Sequence, residues 1–167
     1  MANKKGRNVL RIRPARENDV HDLVILEEEC FDTYYYRRHK FDATKFYGYL
    51  QGKRLILLVA VLNFRLIGYV AGSLHTSQSE SVAFLDSIAV SPGVREKGIG
   101  SRLLRHFIEQ VKRQACKKVR LEVALANDNG ILFFSRRGFR KIRNLPEFYG
   151  KGLDGILMEF DISTTED

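Results

Sequence analysis

Between residues 87 and 101 the sequence runs SIAVSPGVREKGIGS: an apolar stretch ends, a loop with glycines at 98 and 100 follows, and an amphipathic segment begins. The first amides of a helix lack intrahelical partners and sit at the positive end of its dipole, so they favour a phosphate. Gly98 and Gly100 remove side chains that would hold a pyrophosphate away from those amides. Arg95, Lys97 and Arg102 add cations where the dipole disfavours them unless an anion answers. Lys112, Arg113, Lys117 and Lys118 lie at the other end of the segment, where cations suit the dipole without a ligand. The third glycine of a Rossmann fingerprint would fall at 103, which is Leu103, and the Gly-Lys-Ser/Thr of a P-loop is absent. What remains is R-x-x-G-x-G behind Ile88-Ala89-Val90.

A second chemical feature is Glu122, set between Leu121 and Val123 in an apolar run. A carboxylate there is costly to bury without water or a partner. It is either a reactive group or a structural one paired with a nearby arginine. Asp86 stands on the apolar run before the glycine loop. The segment Tyr34-Tyr35-Tyr36-Arg37-Arg38-His39 gathers three adjacent tyrosines, which suits a contact site, a dimer contact or plain packing. His75 and His106 have no metal-ligand spacing, and Cys30 and Cys116 make neither a disulfide framework nor a metal cluster. The two cysteines read as core thiols in a reducing cytoplasm.

These residues need a frame. Leu10–Pro14 alternates as a short strand, and 17–30 spaces its apolar residues as one helical face. A tyrosine-rich connection leads to a helix over 43–51. The β-type runs 54–62 and 66–74 flank a turn at Asn63-Phe64-Arg65, and 81–90 adds a third strand. In 98–115 apolar residues fall at 99, 103, 104, 107, 108 and 111, a 3.6-residue period. Strand 118–125, helix 127–137 with Gly138 at its end, and strands 139–144 and 153–162 complete the chain. The order β-α-α-β-β-β-α-β-α-β-β predicts one α/β (α+β) domain over 9–162: a mixed, mostly antiparallel seven-stranded sheet with helices on both faces. Residues 1–8 and 163–167 read as flexible termini.

A length of 167 residues fits one domain, and 44% apolar content excludes disorder. The longest apolar run, 55–62, is far short of the ~20 residues of a membrane helix. The start of the chain lacks the apolar stretch of a signal peptide. Net charge is +8, and residues 95–143 alone carry +10, so a polyanion site competes with a solvated basic face.

Arg95-Glu96-Lys97-Gly98-Ile99-Gly100 matches [Q/R]-x-x-G-x-[G/A], the acetyl-CoA signature of the GNAT N-acetyltransferase superfamily, which the chain resembles over nearly its whole length. Leu121-Glu122-Val123, Asn127, Gly138-Phe139 and Cys30-Phe31 fall where the branch typified by the ribosomal-protein alanine N-terminal acetyltransferases has them. The resemblance implies a pyrophosphate on Arg95, Glu96, Lys97, Gly98, Ile99, Gly100 and Ser101. It implies a pantetheine arm along Ile88, Ala89 and Val90, the Val90 amide aimed at the acetyl carbonyl. Asn127 would hold the cofactor arm, and Arg136 or Arg137 would lie near its adenosine end. The acceptor amine is mostly protonated at pH ~7, so a base is useful, and Glu122 matches the family's base with Asp86 as second candidate. The family's proton-donating tyrosine is replaced by Phe134, which lines the cofactor site but cannot donate. Tyr149 would shape the acceptor mouth and share proton transfer. Phe31, Tyr34, Tyr35 and Asp86 would complete the acceptor wall.

The function implied is acetyl-CoA-dependent acetylation of a primary amine by direct transfer in a ternary complex, without metal or covalent intermediate. A protein or peptide N-terminus is the favoured acceptor, with lysine or a small amine as alternative, and the expected state is a monomer or homodimer. Two readings from other classes are a non-catalytic CoA-binding module, which Phe134 keeps open, and a basic nucleic-acid-binding protein. The latter is disfavoured because the chain has no helix-turn-helix or zinc pattern.

Overall fold

In the computed structural model, which describes residues 9–31, 39–94 and 98–165, strand β1 spans Leu10–Pro14. Helix α1 covers Val20–Cys30 and is preceded by a 3-10 turn, Glu17–Asp19. The helical face expected from residue 17 thus begins in tighter geometry. Asp19 accounts for this: it accepts the Arg16 amide at 2.7 Å and a two-point pair from Arg13 at 2.7 and 2.9 Å. Helix α2, Ala43–Gln51, is capped by Asp42, whose carboxylate accepts the Lys45 amide at 2.8 Å.

Strands β2 (Leu55–Leu62), β3 (Arg65–Thr76) and β4 (Ser81–Val90) form the meander. The β2–β3 hairpin closes on two residues, Asn63 and Phe64, both at positive φ, which matches the twist of the paired strands. Helix α3 (Ile99–Arg113), strand β5 (Lys118–Ala124), helix α4 (Asp128–Ser135) and strands β6 (Arg140–Gly150) and β7 (Leu153–Asp161) follow, and a 3-10 turn covers Ile162–Thr165. Strand β6 runs past Asn144, where the sequence pattern of alternation ends, because a register shift between Leu145 and Gly150 sets residues 146–149 against Asp154 alone.

The seven strands are ordered β1-β2-β3-β4-β5-β7-β6, and every adjacent pair is antiparallel except β4–β5. This is the mixed, mostly antiparallel sheet that the sequence predicts. One face packs on α1 and α2 through Leu23, Leu26, Phe46, Val59 and Tyr69. The other packs on α3 and α4 through Val70, Leu85, Leu103, Phe107, Leu121 and Phe134. Each large apolar side chain so buried contributes roughly 1.5–3 kcal/mol.

Two irregularities create the site. On the β3–β4 ladder Ala71 pairs with Ser87 and Gly72 with Leu85, which leaves Asp86 as the extra residue of a bulge. On the β4–β5 ladder pairing covers only Val82–Phe84 against Lys118–Arg120, and the strands part beyond it. The closed end of this fork is held by Arg120, which donates to Glu159 at 2.7 Å and to both Glu80 oxygens at 2.6 and 3.0 Å.

Candidate active site

Where β4 and β5 part, a cleft of about 1130 Å³ opens. Ile88, Ala89 and Val90 of β4 line it, past the last residue that pairs with β5. Their backbone edge is therefore not used by the neighbouring strand. Ala89 also belongs to the α1–α2 core, so this strand serves packing with its side chains, pairs with β3 along one backbone edge and turns the other edge to the cleft.

Gly98, Ile99, Gly100 and Ser101 enter the cleft from the start of α3. Gly98 is the N-cap with φ 73°, a left-handed conformation that glycine adopts without strain, and no atom would lie within 4 Å of a Cβ built there. Gly100 has a different reason: its Cβ would press on the Phe133 ring at 3.3 Å. Arg137 completes this end. Its guanidinium lies 3.7 Å over the Phe133 ring, donates to the Phe133 carbonyl at 2.6 Å and bonds Ser101 Oγ. Burial, reinforced by the charge of Arg136, pulls the Arg137 pKa down, which marks a cation short of negative charge. A cation fixed at the positive end of α3, over an open glycine cradle, fits a pyrophosphate. Of the two arginines considered from sequence, Arg137 is the one seated on the α3 N-terminus.

Asn127 lines the cleft and caps α4, accepting the Gly130 amide at 2.9 Å. A Cβ on Gly130 would come within 2.7 Å of Asn127 Nδ2, so the glycine makes room for the asparagine. Phe134 lines the cleft at 6% exposure, with Phe133 and Phe139 ring centroids 5.1 and 5.4 Å away.

At the crotch of the fork stand Glu122 and Asp86, each two residues beyond the last paired residue of its strand. Burial, and then the charge of Asp86, raise the Glu122 pKa. No cation pairs with Glu122 among the described residues, since Arg120 is taken by Glu80 and Glu159. The structural alternative for Glu122, a pair with a nearby arginine, is not realised. Asp86 accepts the Tyr49 hydroxyl at 2.5 Å; burial raises its pKa, while Tyr49, Ser73, Lys45 and His75 act in the other direction. Asp86 lines the cleft, yet protein on its remaining sides displaces enough hydration to produce that shift.

The opposite wall is aromatic. Tyr149, 7% exposed, meets His39 and Phe148 with ring centroids 5.0 and 4.9 Å apart, and His39 stacks on Phe148 at 5.1 Å. Gly155 permits this, since a Cβ there would lie 3.2 Å from Tyr149 Cε2. Phe31, the C-cap of α1, lines the same cleft. The candidates Tyr34, Tyr35, Arg95, Glu96 and Lys97 lie outside the described residues. Among the described residues no group of three His, Cys, Asp or Glu is placed to hold a metal.

Lys45, Tyr49, Phe148 and a buried trio of Glu27, Tyr69 and Ser87 also belong to the site or its floor, and sequence reasoning passed over them. One signal existed: Glu27 falls four residues after Leu23, an acid on the apolar face of its helix. Tyr69 looks like any strand aromatic until the sheet places it against α1.

Comparison with known proteins gives the family. Residues 20–139 match the acetyltransferase (GNAT) family, and the chain belongs to it. It is similar to the ribosomal protein bS18-alanine N-acetyltransferase of Escherichia coli, 30% identical over 134 residues that cover 76% of this chain and 86% of that protein. An uncharacterized N-acetyltransferase of Methanocaldococcus jannaschii is 29% identical over 136 residues, 78% of this chain; the match spans 60% of that relative's length. Among solved structures, Arabidopsis thaliana NAA60 in complex with acetyl-CoA superposes with a TM-score of 0.80 at 20% identity, covering 93% of this chain and 99% of that one.

Proposed function

We propose that the chain transfers an acetyl group from acetyl-CoA to a primary amine, directly within a ternary complex, and that the α-amine of a protein or peptide is the preferred acceptor. One observation carries this reading. A single cleft joins an anion-seeking helix start to two carboxylates at the mouth of a strand fork, with a β4 edge between them that β5 does not pair. The E. coli relative, named as an alanine N-acetyltransferase, supports the α-amine.

Residues 98–101 with Arg137 would hold the pyrophosphate, together with Arg95, Glu96 and Lys97. The edge at Ile88, Ala89 and Val90 would take the pantetheine arm beside Asn127 and Phe134. Acetyl-CoA supplies, when bound, an acetyl thioester with a thiol as leaving group. The Val90 amide would orient the acetyl oxygen, and Glu122 would take a proton from the acceptor nitrogen. Asp86 and Phe31 border the amine, with Tyr34 and Tyr35 as further wall residues, and Tyr149 shapes its entry and shares proton transfer. Residues 9–162 would be the catalytic domain. A cytoplasmic setting rests on the two free cysteines.

Thiol release measured over N-terminal peptides, lysine peptides and polyamines tests the reading. N-terminal peptides should turn over fastest; a preference for polyamines or lysine peptides moves the acceptor to the alternative class. Arg137→Gln should weaken CoA binding about tenfold, the effect of one charge-assisted contact, and leave the acceptor KM unchanged. Calorimetry with CoA alone checks the first part. Tyr149→Phe should lower turnover and peptide affinity by a few-fold, roughly the value of one hydrogen bond; steady-state kinetics showing neither change would remove Tyr149 from the site.

A further inference from the structure

Beneath the cleft lies a buried acid that the scheme above leaves idle. Glu27, on the inner face of α1, is 2% exposed. Its Oε1 accepts the Phe41 amide at 2.9 Å, and its Oε2 accepts the Tyr69 hydroxyl. The Tyr69 hydroxyl, fully buried, also lies 2.7 Å from Ser87 Oγ. Tyr69 has one proton and directs it to Glu27, so Ser87 is the donor in the second bond. The chain of hydroxyls is therefore polarised from Ser87 through Tyr69 to Glu27. Ser87 lines the cleft and keeps lone pairs to accept from it.

The arrangement carries a cost. A buried carboxylate lacking an ion pair is expensive to hold, even with each oxygen accepting a hydrogen bond. No lysine or arginine lies within 4.0 Å of Glu27 among the described residues.

The reaction has a use for a second acceptor of protons. When an ammonium becomes an amide, two protons leave its nitrogen; one ends on the released thiol and one goes to solvent. Glu122 can hold only one at a time. We propose that Ser87, Tyr69 and Glu27 form a second proton-accepting path, which takes the first proton from the acceptor ammonium. The N–H bond breaks and its electron pair stays on nitrogen. The proton passes to Ser87 Oγ as the Ser87 proton moves to Tyr69 and the Tyr69 proton to Glu27 Oε2. Glu27 later returns it along the same path to water in the emptied cleft. This rests on the N-acetyltransferase reading.

The electrostatics suit the task. Burial raises the Glu27 pKa toward that of an amine; the bonds from Tyr69 and Phe41, then Lys40 and Lys45 from the α2 side, limit the rise. Burial and the charge of Glu27 hold the Tyr69 pKa far above its usual value, so Tyr69 passes protons without ionising. The remaining groups nearby are Cys30 on α1, which acts on Tyr69, and Asp86, the neighbour of Ser87 on β4.

Ser87→Ala and Tyr69→Phe test the path, each removing one hydroxyl with little change in volume. At pH ~7 each should lower kcat/KM for an N-terminal peptide about tenfold or more. At pH about 9.5, where an α-amine of pKa ~8 is already neutral, each should approach the wild-type rate. An equal loss at both pH values, or no loss at neutral pH, overturns the path. In the protein without cofactor, carboxyl-carbon NMR should place the Glu27 midpoint above the ordinary ~4.3 of glutamate and move it higher in Tyr69→Phe. A midpoint at or below that value overturns the path as well. Wild-type protein inactive on every amine would instead overturn the acetyltransferase reading, and the path with it.

Discussion

Glu122→Gln should lower kcat/KM for amine acetylation at pH ~7 by about 100-fold or more, the contribution of a positioned general base, while CoA binding stays as in wild type. Glutamine keeps the size of the side chain but cannot accept a proton. The pH profile carries a second signature. Burial and the neighbouring charge of Asp86 raise the Glu122 pKa. The base must be ionised to act, so activity falls as pH drops through that raised value, above the ordinary range of glutamate. Asp86→Asn removes the like charge and should move this acid limb to lower pH. Pre-steady-state and steady-state rates across pH, with calorimetry for CoA, measure all three. A Glu122→Gln enzyme with unchanged rates at every pH would assign the base elsewhere.

The largest effect on stability is expected at Gly72. A Cβ there would sit 2.4 Å from two atoms of the Phe107 ring and 2.4 Å from the Phe84 carbonyl oxygen. The carbonyl is backbone and the ring is a fully buried part of the α3 core, so neither yields cheaply. Gly72→Ala should therefore cost about 3 kcal/mol, or roughly 6–12 °C in Tm for a chain of this size. Phe107→Leu in the same chain should recover only part of the loss, because the carbonyl contact remains. Gly72 sits at the register shift that leaves Asp86 unpaired, so the clash also displaces the bulge that presents Asp86 to the cleft. A Tm within ~2 °C of wild type would show that the bulge can shift at little cost.

The two glycine positions show how far local reasoning reaches. Gly98 was readable because a helix start with a small cap and nearby cations has one local explanation, and the left-handed φ of 73° agrees with it. Gly72 was not readable, because its constraint comes from Phe107, which lies 35 residues away in the chain. Gly100 falls between the two: its place in the motif was evident, while its contact with Phe133 required α4 to fold onto α3. Strand β6 shows the same limit. Pro146 breaks the alternation, and only pairing with β7 reveals that the strand resumes through Gly150.

By itself the sequence determined the element order, the anion-seeking start of α3 and the out-of-place carboxylate at 122. These follow from periodicity, dipoles and the cost of burying charge, which neighbouring residues record. Only the tertiary structure decided which groups share a cleft. The fork of β4 and β5 and the bulge at Asp86 bring Asp86 and Glu122 together from 36 positions apart. It also seated Arg137 rather than Arg136 on the α3 start, and joined Glu27 to Tyr69 and Ser87 across three elements. Such pairings depend on strand register and helix packing, which arise from contacts distant in the chain and leave no local trace.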